Sequence, residues 1–257
     1  MCGITGMVGH ADPRTVLGMT RLLAHRGPDG EGVHCPPGEP FGFGHRRLAI
    51  LDLSPAGAQP MSTPDGRFWA TYNGEVFNFR DIRAELESRG ERFRTRTDTE
   101  VLLAAYAAWG RDCLHRLNGM FAFAIWDRAE RRLFAARDRL GVKPLYYAEH
   151  PRGLVFASEL KAILGSGLIA AEADPQVTHN PWHYPSSPRT GFVGIVKLPP
   201  GHVLEWHDGR AAVSTWWSIP EASERMGDVE ARRALEETLS DAVRLQMVSD
   251  VPVGALL

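Results

Sequence analysis

Cysteine is scarce in this sequence, and long apolar runs are missing. The 257 residues include three cysteines, an odd number too small for a disulfide framework, so we expect free thiols in a reducing compartment such as the cytoplasm. No stretch approaches the roughly 18 to 20 consecutive apolar residues of a membrane helix, and the N-terminus lacks the order of a signal peptide. A net charge of −2 gives no electrostatic reason to expect nucleic acid or an anionic membrane as a partner.

The composition is that of an ordinary globular chain. Glycine and proline are plentiful, with 26 and 18 residues, which favours many short strands joined by turns over a helical bundle. The length suits one large domain or two small ones. Small molecules or another protein surface are the expected ligands.

Apolar periodicity and turn residues predict the following elements. Strands are expected at residues 41–51, at 67–72 and 75–77 joined by an Asn73-Gly74 turn, as an antiparallel meander over 119–158, as two short strands over 191–217, and at 251–257. Helices are expected at 78–90, at 99–109 after a Thr97 N-cap, and at 228–248 after an Asp228 cap.

Cys2 is the first residue with chemical interest. It is small enough to permit removal of Met1, which would place a thiol and a free α-amine on one residue, with ordinary pKa values near 8.5 and 7.7 to 8.0. Such a residue carries both a nucleophile and a general base for acyl transfer. Taken alone, a cysteine at this position is weak evidence, and an N-terminal residue without function is the simpler interpretation.

Several segments accompany Cys2 in a fixed order. They are Cys-Gly-Ile-Thr-Gly at 2–6, His-Arg-Gly-Pro-Asp-Gly at 25–30, His-Arg-Arg-Leu-Ala-Ile-Leu at 45–51, Tyr-Asn-Gly-Glu at 72–75 and Thr-Asp-Thr-Glu at 97–100. In order and spacing they resemble class II glutamine amidotransferase domains. The segments 119–127, 137–146, 157–162 and 198–202 further resemble the glutamine-hydrolysing half of asparagine synthetases, and residues 172–190 match that family least.

The resemblance implies an α+β fold and a reaction. The fold is the four-layer α/β/β/α sandwich of N-terminal-nucleophile hydrolases, with two antiparallel sheets and helices outside. The reaction is glutamine hydrolysis to glutamate and ammonia through a γ-glutamyl thioester. The implied catalytic residues are Cys2, Asn73 and Gly74, the last two as oxyanion donors, and the implied glutamine-binding residues are Arg47, Leu48, Ala49, Ile50, Leu51, Asn73, Gly74, Glu75 and Asp98.

The chemistry of glutamine explains that residue set. Its carboxylate suits the forked cation of Arg47, its ammonium suits the paired anions of Glu75 and Asp98, and its amide needs an oxyanion hole. Each residue also has a simpler interpretation. Asn73-Gly74 is a strong hairpin signal, Arg47 and Glu75 could be surface groups, and Asp98 could share the helix cap with Thr97.

Arg26 and the histidines indicate a function less clearly. Arg26 fits either the family's active-site loop or a simple turn. The spacing of the histidines and cysteines matches no usual metal-ligand pattern, so we expect no metal.

The chain is expected to divide at residue 218. Residues 2–218 would form the glutamine amidotransferase domain, and 219–257 a linker with the first helix and strand of a truncated synthetase domain. The resemblance implies ATP and Mg²⁺ for that domain, with the backbone of Leu257 bordering the nucleotide, and no cofactor for glutamine hydrolysis. The expected partners are L-glutamine, the synthetase domain and, in a homodimer, a second copy.

Two other functions stay open at this stage. An amidotransferase of the same type could serve a different ammonia acceptor, in secondary metabolism or sugar modification. A non-catalytic regulatory domain is the other, in which a retained Met1 blocks the amine of Cys2.

Overall fold

The structure, a computed structural model, describes residues 1–178, 186–221 and 226–254. In these ranges the strands are β1 (Gly3–Val8), β2 (Gly30–His34), β3 (Phe41–Arg47), β4 (Met61–Ser62), β5 (Phe68–Val76), β6 (Gly119–Asp127), β7 (Arg132–Arg137), β8 (Tyr146–His150), β9 (Gly153–Ala157), β10 (Val196–Lys197), β11 (His202–His207) and β12 (Arg210–Thr215). The helices are α1 (Pro13–Arg21), α2 (Phe79–Ser88), α3 (Asp98–Trp109), α4 (Cys113–Arg116), α5 (Leu160–Leu164), α6 (Pro175–Thr178) and α7 (Asp228–Gln246).

The strands form two antiparallel sheets of six strands each. The first sheet has the order β10-β8-β9-β1-β3-β2, and the second has the order β12-β11-β7-β6-β5-β4. Helices α1 and α5 cover the outer face of the first sheet, and α2, α3 and α4 cover the outer face of the second. The result is a four-layer α/β/β/α sandwich, as the family resemblance implies.

The alternation along β6 shows how the sequence builds these layers. Phe121, Phe123 and Ile125 point to the helices outside the second sheet, while Ala122 and Trp126 point to the layer between the sheets. Successive side chains of a strand face opposite sides. Because both sides are covered, every residue from 121 to 127 is buried, and the strand is apolar on both faces rather than on one.

The prediction of a single meander over 119–158 is wrong. Strands β6 and β7 pair in the second sheet, whereas β8 and β9 pair in the first. The crossing between them is organised by Asp138, whose carboxylate accepts backbone N–H groups of Phe121, Leu140, Val142 and Lys143 at 2.9–3.1 Å. The apolar periodicity of strands carries no information about such side-chain hydrogen bonds.

The Asn73-Gly74 turn is also wrong, because β5 runs through both residues. Asn73 lies opposite Ala122 and Gly74 opposite Phe121 in the ladder with β6. A Cβ atom on Gly74 would lie 2.4 Å from the carbonyl oxygen of Met120. Glycine is therefore required here by the close approach of two strands and not by a turn.

Several boundaries differ from the prediction. Strand β3 ends at Arg47 instead of 51, three strands instead of two occupy 191–217, and the N-cap of α7 is Gly227 rather than Asp228. Residues 251–254 form no strand, and the remainder of the predicted final strand lies outside the described residues. The elements β1, α1 and β2 had no sequence prediction, although Asp12 before Pro13 is a helix-start signal; the Asp12 carboxylate caps α1 by accepting the Thr15 N–H at 2.7 Å.

The helices at 79–88 and 98–109 confirm their predictions. Thr97 caps α3 by accepting the Glu100 N–H at 3.2 Å, and Gly110 ends it with a positive φ of 56°. All three cysteines are free thiols, as expected. Among the helices in the described ranges, none is long and apolar enough to cross a membrane.

Candidate active site

A cavity at one end of the two sheets gathers nearly all the predicted site residues. It is lined by Met1, Cys2, Arg47, Leu48, Ile50, Leu51, Gly57, Gln59, Tyr72, Asn73, Gly74, Glu75, Thr97, Asp98, Thr99, Met120 and Lys143. Its volume is about 610 Å³ when the part open to solvent is included. Ala49 does not line it, since its N–H donates to Asp29 at 2.9 Å, and Leu257 lies outside the described residues.

Cys2 reaches this cavity because of the pairing of β1 with β3. Gly3 lies opposite Arg46, so Cys2 is placed beside the end of β3. The Leu48 N–H donates to Cys2 Sγ at 3.4 Å, and Sγ donates to the Leu48 carbonyl at 3.6 Å. The thiol is thus held against the segment that follows β3.

Arg26 fixes the backbone of Cys2. Its Nε donates to the Cys2 carbonyl at 2.8 Å, and its Nη1 pairs with Glu159 at 2.9 Å. Ser158, the residue before Glu159, also contacts β1, because its Oγ accepts the Ile4 N–H at 3.0 Å. Arg26 therefore contacts the backbone of Cys2 in addition to stabilising its own loop.

The thiol of Cys2 is protonated at neutral pH in this environment. Burial raises the pKa of Cys2, and the hydrogen bond with the Leu48 backbone opposes that rise. A thiol in this state needs a base to take its proton before it can attack a carbonyl.

Asn73 presents an unused hydrogen-bond donor. Its side chain is 1% exposed, and its Nδ2 has no hydrogen-bond partner in the described part of the chain. A buried donor without a partner costs about 1–3 kcal/mol, and this one is available to an acceptor that enters the cavity. Asn73 lines the same cavity as Cys2.

Gly74 offers a second donor from the backbone. The N–H groups of Tyr72 and Val76 point away from β6 and donate to Gln59 and Asp98 at 2.7 and 3.0 Å. Because N–H directions alternate along a strand, the Gly74 N–H lies on this same edge, between those two bonds. The edge is next to the cavity that Gly74 lines.

Two hydrogen bonds between the sheets fix the position of β5 along β3. Thr71 Oγ1 donates to the Gly44 carbonyl at 3.1 Å, and His45 Nε2 bonds the Tyr72 carbonyl at 3.0 Å. Burial lowers the pKa of His45 to about 4, so the ring is neutral and its Nε2–H is the donor. These bonds align Asn73 in the second sheet with Cys2 in the first, so that both residues line the same cavity.

Arg47 lies on the cavity wall and organises the segment that follows it. Its guanidinium donates to the carbonyls of Leu51 at 3.2 Å, Ser54 at 2.8 Å and Asp52. It also packs on Gly57, where a Cβ atom would lie 2.1 Å from Nη2. The simpler interpretation of Arg47, as a surface ion-pair residue, does not agree with these bonds to backbone carbonyls.

Glu75 and Asp98 give the cavity a negative side. Asp98 is 6% exposed and its carboxylate accepts the Tyr72 hydroxyl at 2.7 Å; burial raises its pKa, and bonds from Val76 and Tyr72 oppose the rise. Burial and the charge of Asp98 raise the pKa of Glu75 to about 7. Two neighbouring carboxyl groups whose pKa values are both raised form a site that favours a cation.

Four cavity or support residues escaped the sequence analysis as functional candidates: Gln59, Tyr72, Lys143 and Glu159. Lys143 is 5% exposed and its Nζ lies 3.2 Å from the Met1 sulfur; burial lowers its pKa, and Glu75 opposes that shift. Lys143 and Glu159 stand in segments that carry the family resemblance, so that signal was present. Gln59 had no signal in the sequence.

The described residues contain no group of three or more His, Cys, Asp or Glu side chains that could hold a metal ion. The groups at the cavity are a thiol, an arginine, two carboxylates and two amide donors. They can bind a zwitterionic amino acid and stabilise an oxyanion beside a sulfur nucleophile.

The fold is a four-layer α/β/β/α sandwich, and Cys2 lines the cavity at one end of its two sheets. Among solved structures, the glutamine phosphoribosylpyrophosphate amidotransferase of B. subtilis complexed with ADP and GMP superposes with a TM-score of 0.66 at 23% identity, over 85% of this chain and 50% of that one. At that identity the likeness establishes the fold.

Sequence comparison gives the family. A family model described as "Glutamine amidotransferase domain" matches residues 1–217. The chain belongs to this glutamine amidotransferase family, as the ordered motifs predicted.

Two relatives are similar over the whole chain. One is the glutamine-hydrolysing asparagine synthetase 3 of Bacillus subtilis, 40% identical over all of this chain and 43% of the relative. The other is amidase chry2 of Gibberella zeae, 33% identical over all of this chain and 41% of the relative. The chain thus spans about two fifths of the length of these relatives.

Proposed function

We propose that this chain hydrolyses L-glutamine to L-glutamate and ammonia, with Cys2 as the nucleophile after removal of Met1. The observation that carries the proposal is the buried Asn73 Nδ2, which has no partner among the described residues and lines one cavity with Cys2. Such a donor beside a sulfur nucleophile suits the oxyanion of a tetrahedral intermediate. Family membership supports the same reaction.

The proposed mechanism has two stages. The Cys2 α-amine takes the thiol proton as Sγ attacks the γ-amide carbon, and the oxyanion forms bonds to Asn73 Nδ2 and the Gly74 N–H. The carbon–nitrogen bond breaks, the proton passes to the departing nitrogen, and ammonia leaves a γ-glutamyl thioester. Water, deprotonated by the same amine, then cleaves the thioester to give glutamate and the free thiol.

The surroundings of the N-terminus support an amine base. Burial lowers the pKa of the Met1 amine, and the charges of Arg26 and Lys143 act in the same direction against the opposing effect of Cys2. A neutral amine on Cys2 would be favoured by these same groups. The protonated thiol of Cys2 supplies the proton that this base takes.

Glutamine would be held by its charged ends. Arg47 is the proposed partner of the α-carboxylate, with the backbone of Leu48 to Leu51 beside it, and Glu75 with Asp98 would bind the α-ammonium. The hydrolysis needs no cofactor in this scheme because the protein supplies nucleophile, base and oxyanion donors.

The ammonia acceptor we propose is aspartate, in an ATP- and Mg²⁺-dependent synthetase domain. The support is the similarity to asparagine synthetases over the whole chain. Residues 2–218 would be the glutaminase domain and 219–257 the beginning of the synthetase domain. Three free thiols suit a reducing compartment such as the cytoplasm.

The test is glutamine hydrolysis by the purified chain beside its Cys2→Ala and Cys35→Ala variants, with the N-terminal mass of each determined. Cys35 is a free thiol that does not line the cavity, so it is the matched control. We expect glutamate and ammonia release from the chain lacking Met1, loss of release in Cys2→Ala, and unchanged release in Cys35→Ala.

Other outcomes point elsewhere. A chain that retains Met1 and does not hydrolyse glutamine would favour the non-catalytic regulatory function. Release that persists in Cys2→Ala would contradict the nucleophile assignment.

A further inference from the structure

The wall of the cavity formed by residues 48–54 is held in place from outside the cavity. We call these residues the glutamine-site loop. Leu48, Ile50 and Leu51 line the cavity. Arg47, which lines it too, donates to the carbonyls of Leu51 and Ser54. The loop contains no helix or strand, so its shape depends on such side-chain bonds.

Asp52 is the centre of these bonds. It is 4% exposed and adopts a positive φ of 51°, an uncommon conformation for a residue other than glycine. One carboxylate oxygen accepts the Ser54 hydroxyl at 2.6 Å, and the other accepts the Arg96 N–H at 2.9 Å. Arg96 leads directly into Thr97 and Asp98 on the opposite side of the cavity.

The partner of the Asp52 N–H comes from a distant part of the chain. Asp250 Oδ2 accepts that N–H at 2.7 Å, and the Asp250 N–H donates to the Ile50 carbonyl at 2.9 Å. Asp250 thus forms two hydrogen bonds with the loop backbone, as the acceptor at Asp52 and as the donor at Ile50.

The contact at Asp250 is a specific docking point. Helix α7, which precedes it, has no buried residue, so the helix itself adds little to the attachment. Val248 packs against the core cluster to which Leu51 also belongs. The chain therefore returns to the body of the molecule at Val248 and Asp250, directly on the glutamine-site loop.

We propose that Asp250 is a positioning residue that anchors the glutamine-site loop and thereby sets the affinity for glutamine. The proposal rests on the proposed glutaminase function. Asp250 does not line the cavity, so it acts through Asp52 and Ile50. A displacement of the segment after α7 would therefore shift the glutamine-site loop through these two bonds.

The experiment compares the 257-residue chain with its Asp250→Ala, Asp250→Asn and Asp241→Ala variants. Asn keeps a side-chain acceptor for the Asp52 N–H, and Asp241 is an acidic residue of α7 that pairs with Arg244 at 2.6 Å. The readouts are hydrogen exchange of the backbone amides of residues 48–54 and the steady-state constants for glutamine.

In Asp250→Ala we expect exchange in the loop to quicken about 5- to 10-fold and KM for glutamine to rise by a similar factor, the equivalent of one lost hydrogen bond. We expect kcat to change less than about twofold, because Cys2 and Asn73 keep their places. Asp250→Asn should retain most of the protection, and Asp241→Ala should behave as the parent chain.

Unchanged loop exchange in Asp250→Ala overturns the anchoring. Faster exchange with an unchanged KM overturns the link to glutamine affinity. A parent chain that hydrolyses no glutamine contradicts the proposed function instead, and the exchange data then decide the anchoring by themselves.

Discussion

At the scale of single residues, Asn73 carries the clearest prediction. Its Nδ2 is buried without a partner in the described ranges, and the proposed oxyanion would supply that partner only as the reaction proceeds. Asn73→Ala should lower kcat about 10²- to 10³-fold and change KM much less. Steady-state glutamine hydrolysis measures both constants.

Asn78 is the control for that variant. It is a half-buried asparagine whose amide donates to the Arg116 carbonyl at 2.9 Å, and it does not line the cavity. Asn78→Ala should leave kcat unchanged. Equal losses in both variants would show a general effect on folding and would remove Asn73 from the oxyanion hole.

The raised pKa of Glu75 predicts the pH at which kcat/KM falls on the acid side of its pH profile. Burial and Asp98 raise its pKa to about 7, and Lys143 opposes the rise, so kcat/KM should fall as the pH drops through about 7 and the carboxylate is protonated. Lys143→Met removes the opposing charge and should move this limb to higher pH. Lys143→Arg keeps the charge and should leave the limb in place. A limb that stays in place in Lys143→Met as well would contradict the role of Glu75.

The same raised pKa has a consequence for stability. A carboxyl group whose pKa is higher when folded than when unfolded stabilises the fold at low pH, and loses that contribution as the pH rises through the folded value. For Glu75 the contribution is full below its ordinary value of 4.5 and is lost on passing about 7. Urea unfolding at pH 5 and pH 8 should therefore show a smaller pH difference in Glu75→Gln than in the parent chain.

At the scale of elements, the start of α3 depends on one buried carboxylate. Glu100, 7% exposed, accepts the Thr95 N–H and hydroxyl at 2.7 Å each and the Arg94 N–H at 3.0 Å. Glu100→Ala should lower the free energy of unfolding by about 3 kcal/mol because it leaves these donors unpaired.

Glu87→Ala is the matched change on the neighbouring helix. Glu87 forms an exposed pair with Arg83, which contributes less than about 1 kcal/mol. Urea denaturation of both variants measures the difference. Equal losses would mean that Glu100 is not what orders the segment before α3.

Sequence patterns predicted some elements better than others. Helix α3 was predictable because its cap, apolar stripe and terminal glycine are all local signals. Strand β5 was divided in two because Asn73-Gly74 is a local turn signal, and only the approach of β6 overrides it. The separation of β7 from β8 depends on Asp138, whose partners are spread from Phe121 to Lys143.

At the scale of the whole molecule, helix α7 leaves an apolar face uncovered. Leu235, Leu239 and Val243 recur every four residues and are 66%, 60% and 54% exposed, a stripe typical of an association surface. We expect the full chain to self-associate more than a chain ending at Pro220, measured by light scattering at matched concentrations. Leu239→Lys in the full chain should restore part of the monomer, and equal monomer fractions in all three would contradict the expectation.

The sequence by itself determined the family, the identity of the nucleophile candidate and the charges a glutamine site needs, because these are carried by residue types in a fixed order. It also determined the helices whose caps are local. Only the tertiary structure decided that Asn73 lies in a strand with its Nδ2 unpartnered among the described residues, and that the Ala49 N–H donates to Asp29. The same holds for the place of Lys143 and Asp250 in the surroundings of the site. These facts depend on contacts between residues far apart in the chain, and no local pattern encodes which distant groups will meet.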